Sequence, residues 1–333
     1  MSADPWILLS LAPAPADRVR GWFAATPELD IRFPEERTAE AVRAAIANAE
    51  IVLSDWSGAL RVDAAEVAAA PRLAFLMSPA VGLDSVDLDA LTAAGVVVAN
   101  TAGLNAPSVA EWCLGAAFAV ARSLVWVDRR VREGDWPQLE LPERGATELA
   151  GLRVGVLGFG AVGSRVARLF AAIGCDVAYW TRHPRSSDEA PVATWLPLDE
   201  LLERSDVLVD NLALAPETRG LIDASRLAAL PRGAIVVDAG RAGILDHVAL
   251  LAAIETGALR GAAIDVFEHE PLPADSPLRR SERILLSSHA AATTSQSIGR
   301  IFSRVAANVR RAVGGEPVEG VVNGLDPIVR RRG

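Results

Sequence analysis

The segment 153–170, RVGVLGFGAVGSRVARLF, decides the fold of the chain around it. An apolar run with β-branched residues comes first, then three spaced glycines, then an amphipathic stretch. This order predicts a buried strand, a tight turn that lets the backbone approach a pyrophosphate, and a helix packed closely on the strand. A plain turn without a ligand is the alternative. The residues expected to bind a dinucleotide are Gly158, Phe159, Gly160, Ala161, Val162 and Gly163.

The residues after the next apolar run, 176–180, bear on which dinucleotide binds. In folds of this kind an acidic residue at that place accepts hydrogen bonds from the adenosine ribose. This chain has Thr181, Arg182 and His183 there, followed by Arg185. A guanidinium can bind a 2′-phosphate through paired hydrogen bonds, whereas a carboxylate would repel it. The sequence therefore predicts that NADP(H) is preferred over NAD(H), unless Arg182 is simply a solvated surface residue.

Short apolar runs alternate with amphipathic stretches along the whole chain. Such alternation predicts a parallel, doubly wound α/β fold. The longest helical stretch, at about 106–132, is expected to be one helix that connects two domains, and its Ala, Val and Trp content suggests a homodimer. The candidate strands are 6–11, 51–54, 73–77, 96–100, 153–159, 176–180, 206–212, 233–240, 262–267 and 284–288.

The composition limits the classes of protein and partner. A chain of 333 residues with 51% hydrophobic residues can fold into two domains of ordinary size. Its two cysteines exclude a disulfide framework, its lack of lysine excludes Schiff-base chemistry, and we expect no metal site. A net charge of −9 argues against nucleic acid and anionic membranes as partners. Because the chain shows no signal peptide and no spanning segment, we expect it in the cytoplasm.

Several further stretches resemble the D-isomer-specific 2-hydroxyacid dehydrogenases over nearly the whole chain. They are LNAPSVAEW (104–112), SDVLVDNLALAPETRGLID (205–223), VVDAGRAGILDHVAL (236–250), AAIDVFEHEPLP (262–273) and LSSHAAATT (286–294). The resemblance implies two doubly wound parallel-sheet domains with a cleft between them. A Rossmann nucleotide domain is expected at 102–286, and a flavodoxin-like substrate domain at 1–101 and 287–333.

The resemblance also assigns three catalytic residues, Arg241, Glu270 and His289. Reducing a 2-keto acid needs a cation that holds the carboxylate and polarises the carbonyl, and Arg241 is always charged. The developing alkoxide needs a proton donor near neutral pH, which a histidine provides. Glu270 beside His289 would favour the imidazolium and fix its tautomer.

Supporting residues follow from the same resemblance. The turn PAVGLDSVD (79–87) resembles a loop whose N–H groups bind the substrate carboxylate, and a plain turn is the alternative. Asp55 either faces the substrate, where its charge would disfavour dicarboxylates, or only stabilises a turn. The expected substrate-binding residues are Val81, Gly82, Leu83 and Arg241, and those expected beside the nicotinamide are Asn211, Ala239, Gly240 and Asp265.

The implied activity is interconversion of a small 2-keto acid and its D-2-hydroxy acid with a nicotinamide cofactor. Glyoxylate and hydroxypyruvate are the first expected substrates. Two alternatives stay open. One is a binding protein that senses the dinucleotide, as corepressors resembling this family do, and the other is phosphite or formate oxidation on the same scaffold.

Overall fold

The computed structural model describes residues 4–186 and 188–332. The chain divides into two compact units, which we call unit 1 (Met1–Asn105 with Ser295–Gly333) and unit 2 (Ala106–Thr294). The domain boundaries expected from the sequence lie a few residues earlier in the chain at both points. By the structural division, residues 287–294 belong to unit 2, and His289 lies among them.

The helices and strands follow the predicted alternation. In the first part of unit 1 they are β1 (Trp6–Ser10), α1 (Ala16–Trp22), β2 (Leu29–Arg32), α2 (Ala39–Ile46), β3 (Ile51–Leu53), α3 (Ala64–Ala68), β4 (Phe75–Met77), α4 (Leu88–Ala93) and β5 (Val97–Ala99).

Unit 2 contributes the next elements, and the chain then returns to unit 1. They are α5 (Ala106–Ala121), α6 (Leu124–Arg132), α7 (Glu140–Glu143), β6 (Arg153–Leu157), α8 (Gly163–Ala172), β7 (Asp176–Trp180), β8 (Thr194–Trp195), α9 (Leu198–Arg204), β9 (Val207–Asp210), α10 (Ala224–Ala228), β10 (Ile235–Asp238), α11 (His247–Glu255), β11 (Gly261–Ile264), a 3₁₀ helix (Pro277–Arg280), β12 (Ile284–Leu286) and, in unit 1, α12 (Ser295–Gly314).

Each unit is built on a parallel sheet, as predicted. In unit 1 the strand order is β2-β1-β3-β4-β5, the order of flavodoxin-like folds. In unit 2 it is β12-β11-β10-β9-β6-β7-β8, a Rossmann order in which β6 pairs with both β7 and β9. Apolar clusters on both faces of each sheet form the cores. The predicted fold class is therefore confirmed.

Two short strands, β2 and β8, were not among the candidates. Both lie at the edge of their sheets, where one side of the strand has no partner strand. The sequence of β2 is LDIR, which alternates polar and apolar residues, and β8 is only two residues long. Edge strands bury less surface than central ones, so they lack the continuous apolar run on which the prediction depends.

The prediction of one helix over 106–132 is wrong. The chain forms two helices, α5 and α6, which meet at an angle of 60°. Ser123 between them has a φ of 51°, in the left-handed region, and the carbonyl of Ala121 accepts a hydrogen bond from the N–H of Thr147. A later segment of the chain thus occupies an acceptor that a continuous helix would use internally. No single helix in the described chain is long and apolar enough to span a membrane, although α5 and α6 together pass that test of length and composition.

A buried carboxylate joins the end of the described chain to the sheet of unit 1. Glu50 is fully buried before β3, and its Oε1 accepts hydrogen bonds from Arg331 Nε at 2.6 Å and from Arg72 Nη2 at 3.0 Å. Its Oε2 accepts from the N–H of Ile7 in β1. Burial raises the pKa of Glu50, but the bonds to Arg331 and Ile7 and the two guanidinium charges outweigh burial and lower the pKa overall.

We expect Glu50→Gln to lower the free energy of unfolding by about 3 kcal/mol near neutral pH, because it leaves two guanidiniums without their buried partner. A group with a lowered folded-state pKa stabilises the protein above its unfolded-state pKa, and this contribution disappears as the pH falls through the folded-state pKa. The difference between wild type and variant should therefore shrink in acid, as measured by urea unfolding at several pH values. Asp30→Asn, which breaks an exposed pair with Arg32, is the control and should change little. A difference independent of pH would contradict an ionised, paired Glu50.

Candidate active site

Three predicted catalytic residues follow three neighbouring strands of unit 2. Arg241 comes after β10, Glu270 after β11 and His289 after β12. Because these strands are parallel, their carboxyl ends lie on one edge of the sheet. This edge is where ligands bind in open α/β sheets.

The structure brings Glu270 and His289 into direct contact. His289 Nδ1 lies 2.9 Å from Glu270 Oε2, while Glu270 Oε1 accepts a hydrogen bond from the N–H of Phe267 at 3.0 Å. The carboxylate is thus fixed by the backbone of its own loop. It holds the proton of His289 on Nδ1 and leaves Nε2 as the nitrogen that can exchange a proton with a substrate.

The backbone of His289 is held in an unusual conformation. Its φ is 55°, in the left-handed region that few residues other than glycine adopt, and its N–H donates to the carbonyl of Asp265. Asp265 is buried, and its two carboxylate oxygens accept the N–H groups of Ala290 and Ala291 at 2.7 and 2.9 Å. Asp265 therefore anchors the segment that carries His289, and its predicted contact with a nicotinamide stays a prediction.

The Arg241 side chain is hydrogen-bonded to the backbone of the residue before it. Its Nη1 donates to the carbonyl of Gly240 at 2.9 Å, and the N–H of Ala239 donates to the carbonyl of Asp210 on the neighbouring strand. A Cβ on Gly240 would lie 2.5 Å from Asp210 Oδ2, so only glycine fits there. Residues 239–241 are in this way packed tightly against the end of β9.

The turn at residues 158–163, which we call the glycine turn, has the geometry that a dinucleotide requires. Gly158 has a φ of 85°, and a Cβ on Gly163 would collide with the carbonyl of Gly158, so the start of α8 packs directly on the turn. A Cβ on Gly160 would meet nothing within 4 Å, so this residue faces open space. Because α8 begins at Gly163, its N-terminus lies at the turn, where it favours phosphate groups. The residues present thus fit the cofactor.

Other residues of the predicted dinucleotide site differ in how exposed they are. The Phe159 side chain is buried and stacked on Tyr179, with ring centroids 4.0 Å apart. Only the backbone of Phe159 is therefore placed to contact a cofactor. Asn211 is half-buried, and its Nδ2 finds no hydrogen-bond partner within the described chain. Its Oδ1 lies 3.8 Å from the Sγ of Cys113, a thiol whose pKa is raised by burial.

Arg182 is exposed at the end of β7, with 66% of its side chain accessible. Its Nη1 lies 3.7 Å from Glu217 Oε2, in a loop that follows β9. Thr181 Oγ1 donates to the carbonyl of His183 and thereby tightens the turn that carries Arg182. Sequence reasoning missed Glu217, because the two residues are far apart in the chain and no local pattern links them.

Two predicted features belong to unit 1. Val81, Gly82 and Leu83 lie in the partly exposed loop after β4, where the carbonyl of Val81 accepts a hydrogen bond from Asn100 Nδ2 at 2.9 Å. Asp55 is buried, and its oxygens accept from Arg37, from Ser57 and from the N–H of Leu60. This network favours the turn-stabilising alternative for Asp55.

Comparison with known proteins identifies the family. Residues 114–291, more than half of the chain, match the model of the D-isomer specific 2-hydroxyacid dehydrogenase NAD binding domain. The chain belongs to this family. The D-3-phosphoglycerate dehydrogenase of Mycobacterium tuberculosis is 37% identical over 89% of this chain, but the chain spans about half (55%) of that protein's length. A glyoxylate reductase of Aeropyrum pernix is 35% identical and covers 79% of this chain, which spans 80% of the reductase.

Solved structures of the family share the fold. The 2-hydroxyacid dehydrogenase of Ketogulonicigenium vulgare superposes with a TM-score of 0.84 at 28% identity, covering 96% of this chain and 99% of that one. The D-mandelate dehydrogenase of Rhodotorula graminis superposes with a TM-score of 0.88 over 98% of this chain and 100% of its own, at 22% identity. The second likeness concerns the fold alone.

Proposed function

We propose that this protein is an enzyme that interconverts a small 2-keto acid and its D-2-hydroxy acid with a nicotinamide dinucleotide. The observation that carries the proposal is the hydrogen bond between His289 and Glu270, at the same sheet edge as Arg241 and the glycine turn. This set supplies a proton donor, a carboxylate that stabilises it and a fixed positive charge.

The proposed roles follow from the charges. Arg241 binds the carboxylate and polarises the keto group. The cofactor, when bound, supplies the hydride for the reduction. His289 Nε2 then donates a proton to the alkoxide, and Glu270 stabilises the imidazolium before this transfer. In the oxidation direction His289 accepts the proton.

Glyoxylate and hydroxypyruvate are the proposed substrates. The glyoxylate reductases named among the relatives are matched over most of their length, whereas the phosphoglycerate dehydrogenases are matched over about half of theirs. The match over most of the length of the glyoxylate reductases supports a small keto acid as the substrate.

The test is a panel of 2-keto acids offered with NADPH and with NADH. We expect turnover of glyoxylate or hydroxypyruvate, a loss of kcat of about 10²–10⁴-fold in His289→Ala, and a smaller loss in Glu270→Gln. Phosphite and formate are offered with the oxidised cofactors in parallel. Tight dinucleotide binding without turnover of any compound would favour the sensing alternative, and near-normal kcat in His289→Ala would refute the assigned acid.

NADP(H) is the proposed cofactor because Arg182 is exposed at the strand end where the adenosine ribose is expected. Its contact with Glu217 is an exposed pair at 3.7 Å, which is too weak to keep the guanidinium from a phosphate. The 2′-phosphate carries more charge than a carboxylate and can take both guanidinium edges.

Arg182→Ala should raise the KM for NADPH about tenfold and leave the KM for NADH nearly unchanged, because it removes a charge-assisted bond to the 2′-phosphate only. Steady-state kinetics with both cofactors measures this. Arg204→Ala, on the exposed face of α9, is the matched control. An unchanged ratio of the two KM values would show that Arg182 does not recognise the phosphate.

A homodimer is proposed from the surface of α6 and α7. Trp136 and Leu139 are 79% and 85% exposed, and they lie in the same segment as three further exposed apolar residues, Leu124, Val125 and Val131. A surface with this many large apolar side chains is typical of an interface. Trp126, by contrast, is buried, and the guanidiniums of Arg130 and Arg144 lie over its ring.

Light scattering of the intact protein should give twice the mass of the 35.1 kDa chain. The double variant Trp136→Asp/Leu139→Asp should shift the protein toward monomer, because two charges would then face an apolar interface. Val248→Asp, at an equally exposed apolar position on α11, is the control and should leave the mass unchanged. A monomeric wild type would contradict the proposal.

A further inference from the structure

Two buried aspartates end neighbouring strands directly behind Arg241. Asp210 is the last residue of β9 and Asp238 the last residue of β10, and the two are register partners in the parallel ladder. Both are fully buried. Register partners in a parallel pair project to the same face of the sheet, so the two carboxyl groups are close neighbours. Neither residue has a role in the proposed reaction.

Asp238 has a histidine partner and a backbone donor. Its Oδ2 lies 2.8 Å from Nε2 of His247, the first residue of α11, and its Oδ1 accepts the N–H of Gly240 at 3.3 Å. The His247 side chain is 13% exposed, and its ring meets that of Phe267 edge to face. Both oxygens of the buried Asp238 carboxylate therefore have a hydrogen-bond partner, as buried polar groups require.

Asp210 is arranged as a neutral acid. Its Oδ1 accepts the N–H of Leu212 at 2.9 Å, whereas its Oδ2 is buried with no hydrogen-bond partner among the described residues. Burial, and then the charge of Asp238, raise the pKa of Asp210 well above its usual value. The proton of Asp210 therefore belongs on Oδ2.

Gly240 connects this cluster to Arg241. Its N–H donates to Asp238, its Cα packs against the carboxyl group of Asp210, and its carbonyl accepts the Arg241 guanidinium. A shift of either aspartate would therefore displace the peptide of Gly240, to which the Arg241 guanidinium donates a hydrogen bond. The arginine side chain is long and flexible, so the bond to the Gly240 carbonyl helps to set the direction of its rigid guanidinium.

We propose that Asp210, Asp238 and His247 are positioning residues that fix the peptide at Gly240 and thereby aim Arg241 at the keto acid. The inference rests on the proposed function, which gives Arg241 its role. None of the three residues touches the substrate in this scheme. They act through the Gly240 peptide.

The kinetic test compares two substitutions of one histidine. His247→Leu removes the bond to Asp238 and should raise the KM for the keto acid about tenfold, with a smaller change in kcat and the dinucleotide Kd within twofold of wild type. His247→Gln keeps an N–H donor at that place and should restore the KM to within threefold of wild type. Glu255→Gln, at the exposed end of α11, is the control.

If His247 only stabilised the fold, its substitution would change dinucleotide binding as well as keto-acid binding. If His247→Leu weakens dinucleotide binding as much as keto-acid binding, or if His247→Gln fails to restore the KM, the positioning role is wrong. Dinucleotide Kd values are measured by quenching of tryptophan fluorescence, which needs no turnover.

The protonation of Asp210 is tested by a separate measurement, which also needs no turnover. Infrared spectra at neutral pH should show the carbonyl stretch of a protonated carboxylic acid that is lost in Asp210→Asn and kept in Asp238→Asn. Absence of this band in the wild type, or its loss in Asp238→Asn alone, would overturn the assignment. If the wild type turns over no keto acid while the band behaves as expected, the proposed function fails and the acid pair stands.

Discussion

The pairing of β6 with both β7 and β9 is the constraint on which the rest of unit 2 depends. It places β6 at the point where the strand order reverses, so that chain segments on its two sides leave the sheet in opposite directions. The glycine turn leaves β6 at this point, and a β-carbon at Gly163 would not fit between α8 and the turn. The strands on one side of β6 carry Asn211, Arg241, Glu270 and His289 to the same edge.

Buried carboxylates in this chain are stabilised by different means. Two guanidiniums and a backbone N–H group bind Glu50. One guanidinium, a hydroxyl and backbone N–H groups bind Asp55, and two backbone N–H groups bind Asp265. Asp210 has one backbone donor and a raised pKa. An unpaired buried charge is unfavourable, so each carboxylate is stabilised by the donors that its neighbours provide, or its pKa is raised. In a chain without lysine, every side-chain cation other than histidine is a guanidinium, which suits paired bonds to carboxylates.

Much of the fold could be predicted from the sequence because the central strands are continuous apolar runs and the helices between them are amphipathic. The edge strands β2 and β8 could not be predicted in this way. One side of each has no partner strand, so neither needs a continuous apolar run. The break at Ser123 was missed for a different reason. The break depends on the N–H of Thr147, which donates a hydrogen bond to the carbonyl of Ala121. Because Thr147 lies outside 106–132, no pattern within that range could predict the break.

The same distinction applies to the candidate site. Family motifs pointed to Glu270 and His289, and the structure joins them by a hydrogen bond. The contacts of Asp238 with His247 and of Arg182 with Glu217 join residues that no motif pairs. Asp210 and Asp238 did leave a signal, because an acid as the last residue of two buried strands is unusual, but only the register of the sheet shows that they are neighbours.

The contacts of Arg331 have a consequence for the order of the chain. Its guanidinium binds the carbonyls of Asp4 and Pro5 as well as Glu50, so the first and last described segments lie side by side in unit 1. Unit 2 is therefore an insertion into a unit whose two ends already meet. A circularly permuted chain, with residues 331 and 4 joined by a short linker and new ends opened in an exposed loop of unit 2, would keep every strand pairing of both sheets.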